Sequence, residues 1–182
     1  MKILIYILII LFNVKLFAKE CTFSRVNSAG ESKYTEQYSI KTNIPGHSLR
    51  VFSVEVVPKN PTKNCEGLTI TKSVFWGMSN YQYKNGNVSG NWETTYNDGS
   101  TMFGTFTANS QSPKNVSENS MSIGSNQIIG GTKTYKNVSG YEITKTEFNP
   151  EKKYISGQST IYYTIDSLYL ILIYPYLVLF EY

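Results

Sequence analysis

The chain has 182 residues, a formal net charge of +4, 15 tyrosines, nine phenylalanines, one histidine and two cysteines. One histidine and two cysteines are too few to build a metal centre. The 17 basic and 13 acidic residues are spread along the chain, without the clustered basic face that nucleic-acid binders show.

Met1-Lys2 is followed by an uncharged apolar run from Ile3 to Phe12, then Asn13-Val14-Lys15-Leu16-Phe17-Ala18. A charged start, a short apolar core and a small final residue predict a secretory leader cleaved after Ala18. Asn13 and Lys15 interrupt the run before it reaches the ~20 apolar residues of a spanning helix. Cleavage leaves 164 of 182 residues, enough for one domain. It also takes Lys2 and Lys15 away, lowering the charge from +4 to +2. Cys21 and Cys65 are then the only thiols of an exported chain and are expected to form a disulfide.

Residues 19–43 read as a polar lead-in with one strand around Tyr34–Ile40. Beyond Pro45-Gly46, Leu49 to Val57 alternates strictly. Arg50, Phe52, Val54 and Val56 fall on one face, and Leu49, Val51, Ser53 and Glu55 on the other, a period of two that predicts a strand. Leu68, Ile70, Val74 and Trp76 are read as one face of the next strand, opposite Thr69, Thr71 and Ser73. Asn85-Gly86-Asn87 is expected to turn the chain. Val88, Trp92, Thr94 and Tyr96 then alternate with polar residues up to Asn97-Asp98-Gly99-Ser100. That tetrapeptide tolerates positive φ and predicts a hairpin returning through Thr101–Ala108. Asn109–Asn119 reads as an exposed loop, Ser120–Ile129 as a strand, and Tyr141–Phe148 with Tyr154–Ile165 as a final pair.

Seven or eight short strands with no amphipathic helix predict an all-β fold, either barrel or sandwich. Ser167–Tyr182 contains thirteen apolar residues and none of the Lys, Asn, Thr or Gly common upstream. The strand pattern looks complete by Ile165, so the tail is read either as a buried closing strand or, by preference, as a non-native end set apart from the domain at 44–166.

The segment Gly130-Gly131-Thr132-Lys133-Thr134-Tyr135-Lys136-Asn137-Val138-Ser139-Gly140 resembles the turn G-G-T-G-x-[FY]-x-x-x-x-G of the dirigent and allene-oxide-cyclase-like barrel families. Lys133 stands where that pattern has a glycine. Trp92–Phe106, with its Asp98-Gly99 turn, resembles the central hairpin of such barrels, and the likeness runs from Ile44 to Ile165. Exported bacterial proteins of this type without an assigned activity are similar. The resemblance implies an antiparallel barrel of about eight strands able to hold a small apolar ligand. It places no catalytic residue on this chain.

The residues themselves offer little chemistry. His47 has no nucleophile-elbow motif to serve, and no two acidic residues are spaced for shared acid–base work. Glu55 and Glu93 lie in strands, where an inward carboxylate among aromatics could act as an acid or base. Phe52, Trp76, Trp92, Tyr96 and Phe106 are the candidates for lining a ligand cavity, against the alternative that they only fill the core. Three glycosylation triplets start at Asn87, Asn115 and Asn137; in a eukaryotic secretory route the loop copy at Asn115 is the one expected to be occupied.

The expectation is therefore an exported barrel, periplasmic or secreted, with no cofactor, metal or nucleic-acid partner. After leader cleavage no stable membrane insertion is expected. Its alternatives are a cyclase- or isomerase-type enzyme using the barrel interior, and an eight-stranded outer-membrane barrel.

Overall fold

The computed structural model describes residues 14–113, 118–149 and 154–170, the side chains of 14–17 and 167–170 excepted. The alternation at Leu49–Val57 is built as β3 (His47–Val56), which pairs with β2 (Ser32–Lys41) and β4 (Ile70–Gln82). β5 (Asn85–Tyr96), β6 (Thr101–Gln111), β7 (Ser120–Gly131), β8 (Val138–Asn149) and β9 (Tyr154–Leu170) follow, each antiparallel to its predecessor. β1 (Val14–Asn27) lies beside β9, giving one antiparallel sheet of nine strands in the order β1-β9-β8-β7-β6-β5-β4-β3-β2. Glu20–Ile165 forms one compact unit. The described parts of a second unit are Val14–Lys19 and Asp166–Leu170.

Connectivity forces this sheet to curl. β1 and β2 stand at opposite ends of the nine-strand order, which in a flat sheet would be ~38 Å apart at ~4.8 Å per strand. Only Ser28–Glu31 joins them, a link that reaches less than ~20 Å. The edges therefore meet, although no ladder joins β1 to β2 and the hydrogen-bonded sheet is not closed. Glu31 fixes the seam. Its carboxylate accepts the Ser28 N–H at 2.8 Å and the Lys59 N–H at 2.9 Å, and its carbonyl accepts the Val57 N–H.

Several expectations change. The stretch 19–43 is no loose lead-in, because it supplies most of β1 and all of β2. Its polarity reflects an edge strand exposed at nearly every position. The turn between β4 and β5 falls on Tyr83 and Lys84, both left-handed at φ +52° and +65°, the two-residue geometry whose twist suits a hairpin. Asn85-Gly86-Asn87 lies inside β5. The β5–β6 hairpin is as expected, with Gly99 at φ +73° and the Asp98 carboxylate accepting the Ser100 N–H at 2.8 Å.

β9 continues past Ile165 to Leu170, so the strand pattern does not end where the sequence suggests. Residues 171–182 of the apolar tail lie outside the described residues, as do 1–13 of the expected leader, Asn115 in the 109–119 stretch, and Pro150–Lys152 between β8 and β9. Val14–Ala18 open β1.

Cys21 on β1 and Cys65 in the β3–β4 connection form a disulfide with Cα atoms 6.0 Å apart. By constraining the unfolded chain across 44 positions, such a bond contributes roughly 2–4 kcal/mol.

Candidate functional site

The register sorts the inward residues into layers. At the end carrying the β3–β4, β5–β6 and β7–β8 connections, Tyr96, Met102, Tyr135, Val138, Tyr163 and Ile165 are buried together. Tyr135, in the short 3-10 turn Lys133–Tyr135, is the plug: its ring lies 4.6 Å from that of Tyr96 and 6.1 Å from that of Tyr163. Asn64 donates to the Tyr135 hydroxyl, and the Tyr163 hydroxyl donates to Glu66. Burial pushes the Tyr135 phenol up to about 12 and holds Tyr96 and Tyr163 well above the ordinary tyrosine value, Tyr163 further raised by its bond to Glu66. This end is filled.

A buried ion pair crosses the middle. Cys21, Phe23, Arg25 and Asn27 share a face of β1, which carries Arg25 inward until it is 8 % exposed; Glu142 of β8 is 2 % exposed. Arg25 donates to Glu142 Oε1 from Nη2 at 2.9 Å and from Nε at 3.2 Å. The Nε–H is shared with Ser159 Oγ at 3.1 Å, and Nη1 donates to Ser73 Oγ at 3.3 Å. Asn126 Nδ2 donates to Glu142 Oε2 at 2.6 Å, and the Ser73 and Thr94 hydroxyls share a hydrogen bond at 2.7 Å. Each carboxylate oxygen therefore has a donor, as a charge kept out of water requires.

Beyond this pair, toward the end carrying the β2–β3 and β4–β5 turns, lies a cavity of about 200 Å³ lined by residues from all nine strands. Arg25, Asn126, Glu142 and Ser159 form one side. Phe52, Phe75, Phe106, Tyr34, Tyr81, Val88, Phe148 and Ile155 supply apolar wall, and Ala108, Ser122, Thr144 and Gly157 are too small to fill the space. Phe75 and Phe106 meet edge to face at 5.7 Å. A Cβ at Gly77 would stand 2.6 Å from the Phe52 ring and 2.8 Å from that of Phe106, so the glycine leaves room for both rings. Arg50 also lines the cavity, its guanidinium 5.5 Å from the Tyr34 and Phe52 ring centres and 5.9 Å from that of Tyr81. Burial raises the Tyr81 phenol, and the Arg50 charge pulls it back down.

Of the five aromatic candidates, Phe52 and Phe106 line this cavity. Trp92 is buried in the core with its indole N–H on the Thr105 carbonyl at 3.1 Å, and Tyr96 belongs to the tyrosine plug, its hydroxyl on Met102 Sδ. Trp76 is 47 % exposed and sits on the outer face beside Tyr38, Val51 and Met78. The register slips between Ile70 and Lys72 of β4, and one extra residue exchanges the two faces of a strand from there on. Ser73, Phe75, Gly77 and Ser79 consequently turn inward, where the sequence pattern placed Val74 and Trp76.

His47 binds Thr42 at 2.8 Å and Asn80 at 2.7 Å, and Glu55 faces outward toward Lys72 at 3.8 Å. Glu93 alternates with the inward Trp92 and Thr94. None of the three lines the cavity. Among the described residues, no group of three His, Cys, Asp or Glu side chains is placed to hold a metal, and no helix is long and apolar enough to cross a membrane.

Sequence reasoning passed over Arg25, Glu142 and Asn126, and took Arg50 only as one member of an alternating face. The usable signal was that face itself, since an arginine in phase with Phe52, Val54 and Val56 must share their surroundings.

No protein-family model and no curated protein matches the chain. Two solved pterocarpan synthase dirigent proteins are similar to it. One is 12 % identical with a TM-score of 0.42, over 85 % of this chain and 90 % of the other. The second is 11 % identical with a TM-score of 0.40, over 83 % of this chain and 95 % of its own.

Proposed function

We propose that this protein is an exported binding protein that holds a small, largely apolar molecule between β3–β6 and β7–β9. The observation that carries the proposal is the aromatic cavity of about 200 Å³ backed by a fully hydrogen-bonded ion pair. A barrel of this size ordinarily fills its interior with side chains. Here the large residues crowd one end and small ones line the other, leaving concave, mostly apolar space with a few fixed polar groups. The Cys21–Cys65 disulfide is compatible with an oxidising, extracytoplasmic setting.

The geometry favours binding over catalysis. Glu142 is the only carboxylate among the described lining residues, and Arg25 and Asn126 already occupy both its oxygens. A general base needs a lone pair aimed at the substrate. The membrane-barrel alternative meets Glu36, Glu55 and Lys72 on the outer face of β2–β4, where a lipid-facing band calls for apolar residues.

The test is calorimetric titration with the neutral bicyclic probe 2-naphthamide. Wild type is expected to bind it. Ala108→Trp, which puts an indole into the cavity, is expected to lose binding while keeping a cooperative unfolding transition. Equal binding by both proteins, or by neither, would overturn the proposal.

A further inference from the structure

We infer that the ligand of this cavity is an organic carboxylate and that Arg50 receives its anionic end; the inference rests on the binding reading above. Two arginines face the interior, and they are provided for very differently. Arg25 has Glu142 at 2.9 Å, shares its Nε–H with Ser159 and donates from Nη1 to Ser73. Arg50 has three aromatic rings, Tyr34, Phe52 and Tyr81, within 5.9 Å of its guanidinium carbon. Among the described residues it has no carboxylate partner and no side-chain hydrogen bond.

Aromatic rings stabilise a guanidinium through its charge and its flat faces. They leave its N–H edge unused, and that edge is a planar fork matched to a carboxylate. Tyr34 and Phe52, themselves edge to face at 5.9 Å, hold the guanidinium in place, so little ordering entropy remains to be lost when an anion docks.

A second orphan lies beside it. Ser79 is paired directly with Arg50 across the β3–β4 ladder and is 2 % exposed, yet its Oγ has no hydrogen-bond partner among the described residues. Buried polar groups without partners are rare in native structures. Arg50 lines the cavity and calls for an acceptor delivered by the ligand; Ser79, its ladder partner outside that lining, adds an unspent donor next to it. The apolar walls of Phe75, Val88 and Phe106 take the rest of the molecule. A monoanion with an aromatic or aliphatic body suits that pairing, because the guanidinium fork replaces the water that its carboxylate gives up on entering.

The experiment compares 2-naphthoate with its neutral isostere 2-naphthamide by calorimetry. Arg50→Met, Arg50→Lys and wild type are titrated, each first shown to unfold cooperatively. The readout is the ratio of the two affinities, in which any general loosening of the cavity cancels. Wild type is expected to prefer naphthoate about tenfold or more, as a charge-assisted pair implies. Arg50→Met is expected to abolish the preference and Arg50→Lys to retain part of it. In wild type, added salt should weaken naphthoate and spare naphthamide. Equal affinities in wild type, or a preference that survives Arg50→Met, would overturn the inference while leaving the cavity reading standing. Failure of wild type to bind either probe would overturn the cavity reading, and this inference with it.

Discussion

Glu142 and Arg25 meet across 117 positions of sequence, and the molecule's stability should depend on keeping both or neither. Removing one partner leaves an uncompensated buried charge. Arg25→Met strips Glu142 of its two Arg25 hydrogen bonds and leaves only Asn126. Glu142→Gln leaves the guanidinium 8 % exposed with no counter-ion. Each single change is expected to cost about 3–5 kcal/mol, or roughly 6–20 °C in melting temperature for a domain of this size. The double variant Arg25→Met/Glu142→Leu replaces the pair by apolar atoms of similar volume. It should fall within about 1–2 kcal/mol of wild type and be more stable than either single variant, because desolvating two charges offsets most of their attraction.

Urea unfolding of wild type and the three variants measures all of this. Single variants that lose less than about 1 kcal/mol, or a double variant as damaged as the sum of its parts, would refute the reasoning.

Tyr96, Tyr135 and Tyr163 all have phenols raised by burial above the ordinary value of 10.0. The unfolded chain loses these protons first, so stability holds below pH 10 and falls as pH rises beyond it, by up to about 1.4 kcal/mol per pH unit for each tyrosine. Denaturation midpoints on an alkaline series should show this slope, and Tyr163→Phe should make it shallower. Lys133, left-handed at φ +50°, should gain from Lys133→Gly. Relief of the Cβ clash exceeds the loss of an exposed contact from Nζ to the Asp98 carbonyl at 3.2 Å, raising the melting temperature by ~1–4 °C; an unchanged or lower temperature would count against the strain.

What could be read in the sequence was local. The alternation over β3 identified the face holding Arg50, Phe52, Val54 and Val56, and that face is the interior. Asn97–Ser100 announced its hairpin because Asp98 and Gly99 each have a local task there. The β4 face was misjudged because the extra residue between Ile70 and Lys72 alters the register without altering the hydrophobic count. The Tyr83-Lys84 turn carries no glycine or asparagine at its left-handed positions, and the Asn85-Gly86 next to it is the stronger signal in the wrong place. Arg25 and Glu142 were invisible for a different reason. A lone charge in a polar segment reads as solvated, and only the meeting of β1 with β8 and β9 in the curled sheet gives each its counter-charge.

That meeting also explains why the cavity stays open. With Ala108, Ser122, Thr144 and Gly157 on its walls, the upper interior has space into which neighbouring side chains would otherwise relax, since unfilled apolar volume is destabilising. Arg25 and Glu142 cannot move into it without giving up the bonds to Ser73, Asn126 and Ser159 that make their burial tolerable. From the other side Gly77 leaves room for the Phe52 and Phe106 rings, and Phe52 is in turn held against the Arg50 guanidinium. The polar network thus acts as a rigid floor and the cation–aromatic stack as a fixed wall. The ion pair's stability and the shape of the cavity are then coupled properties. Arg25→Met should alter affinity for 2-naphthamide as well as stability, even though the probe's apolar body needs no contact with the charge.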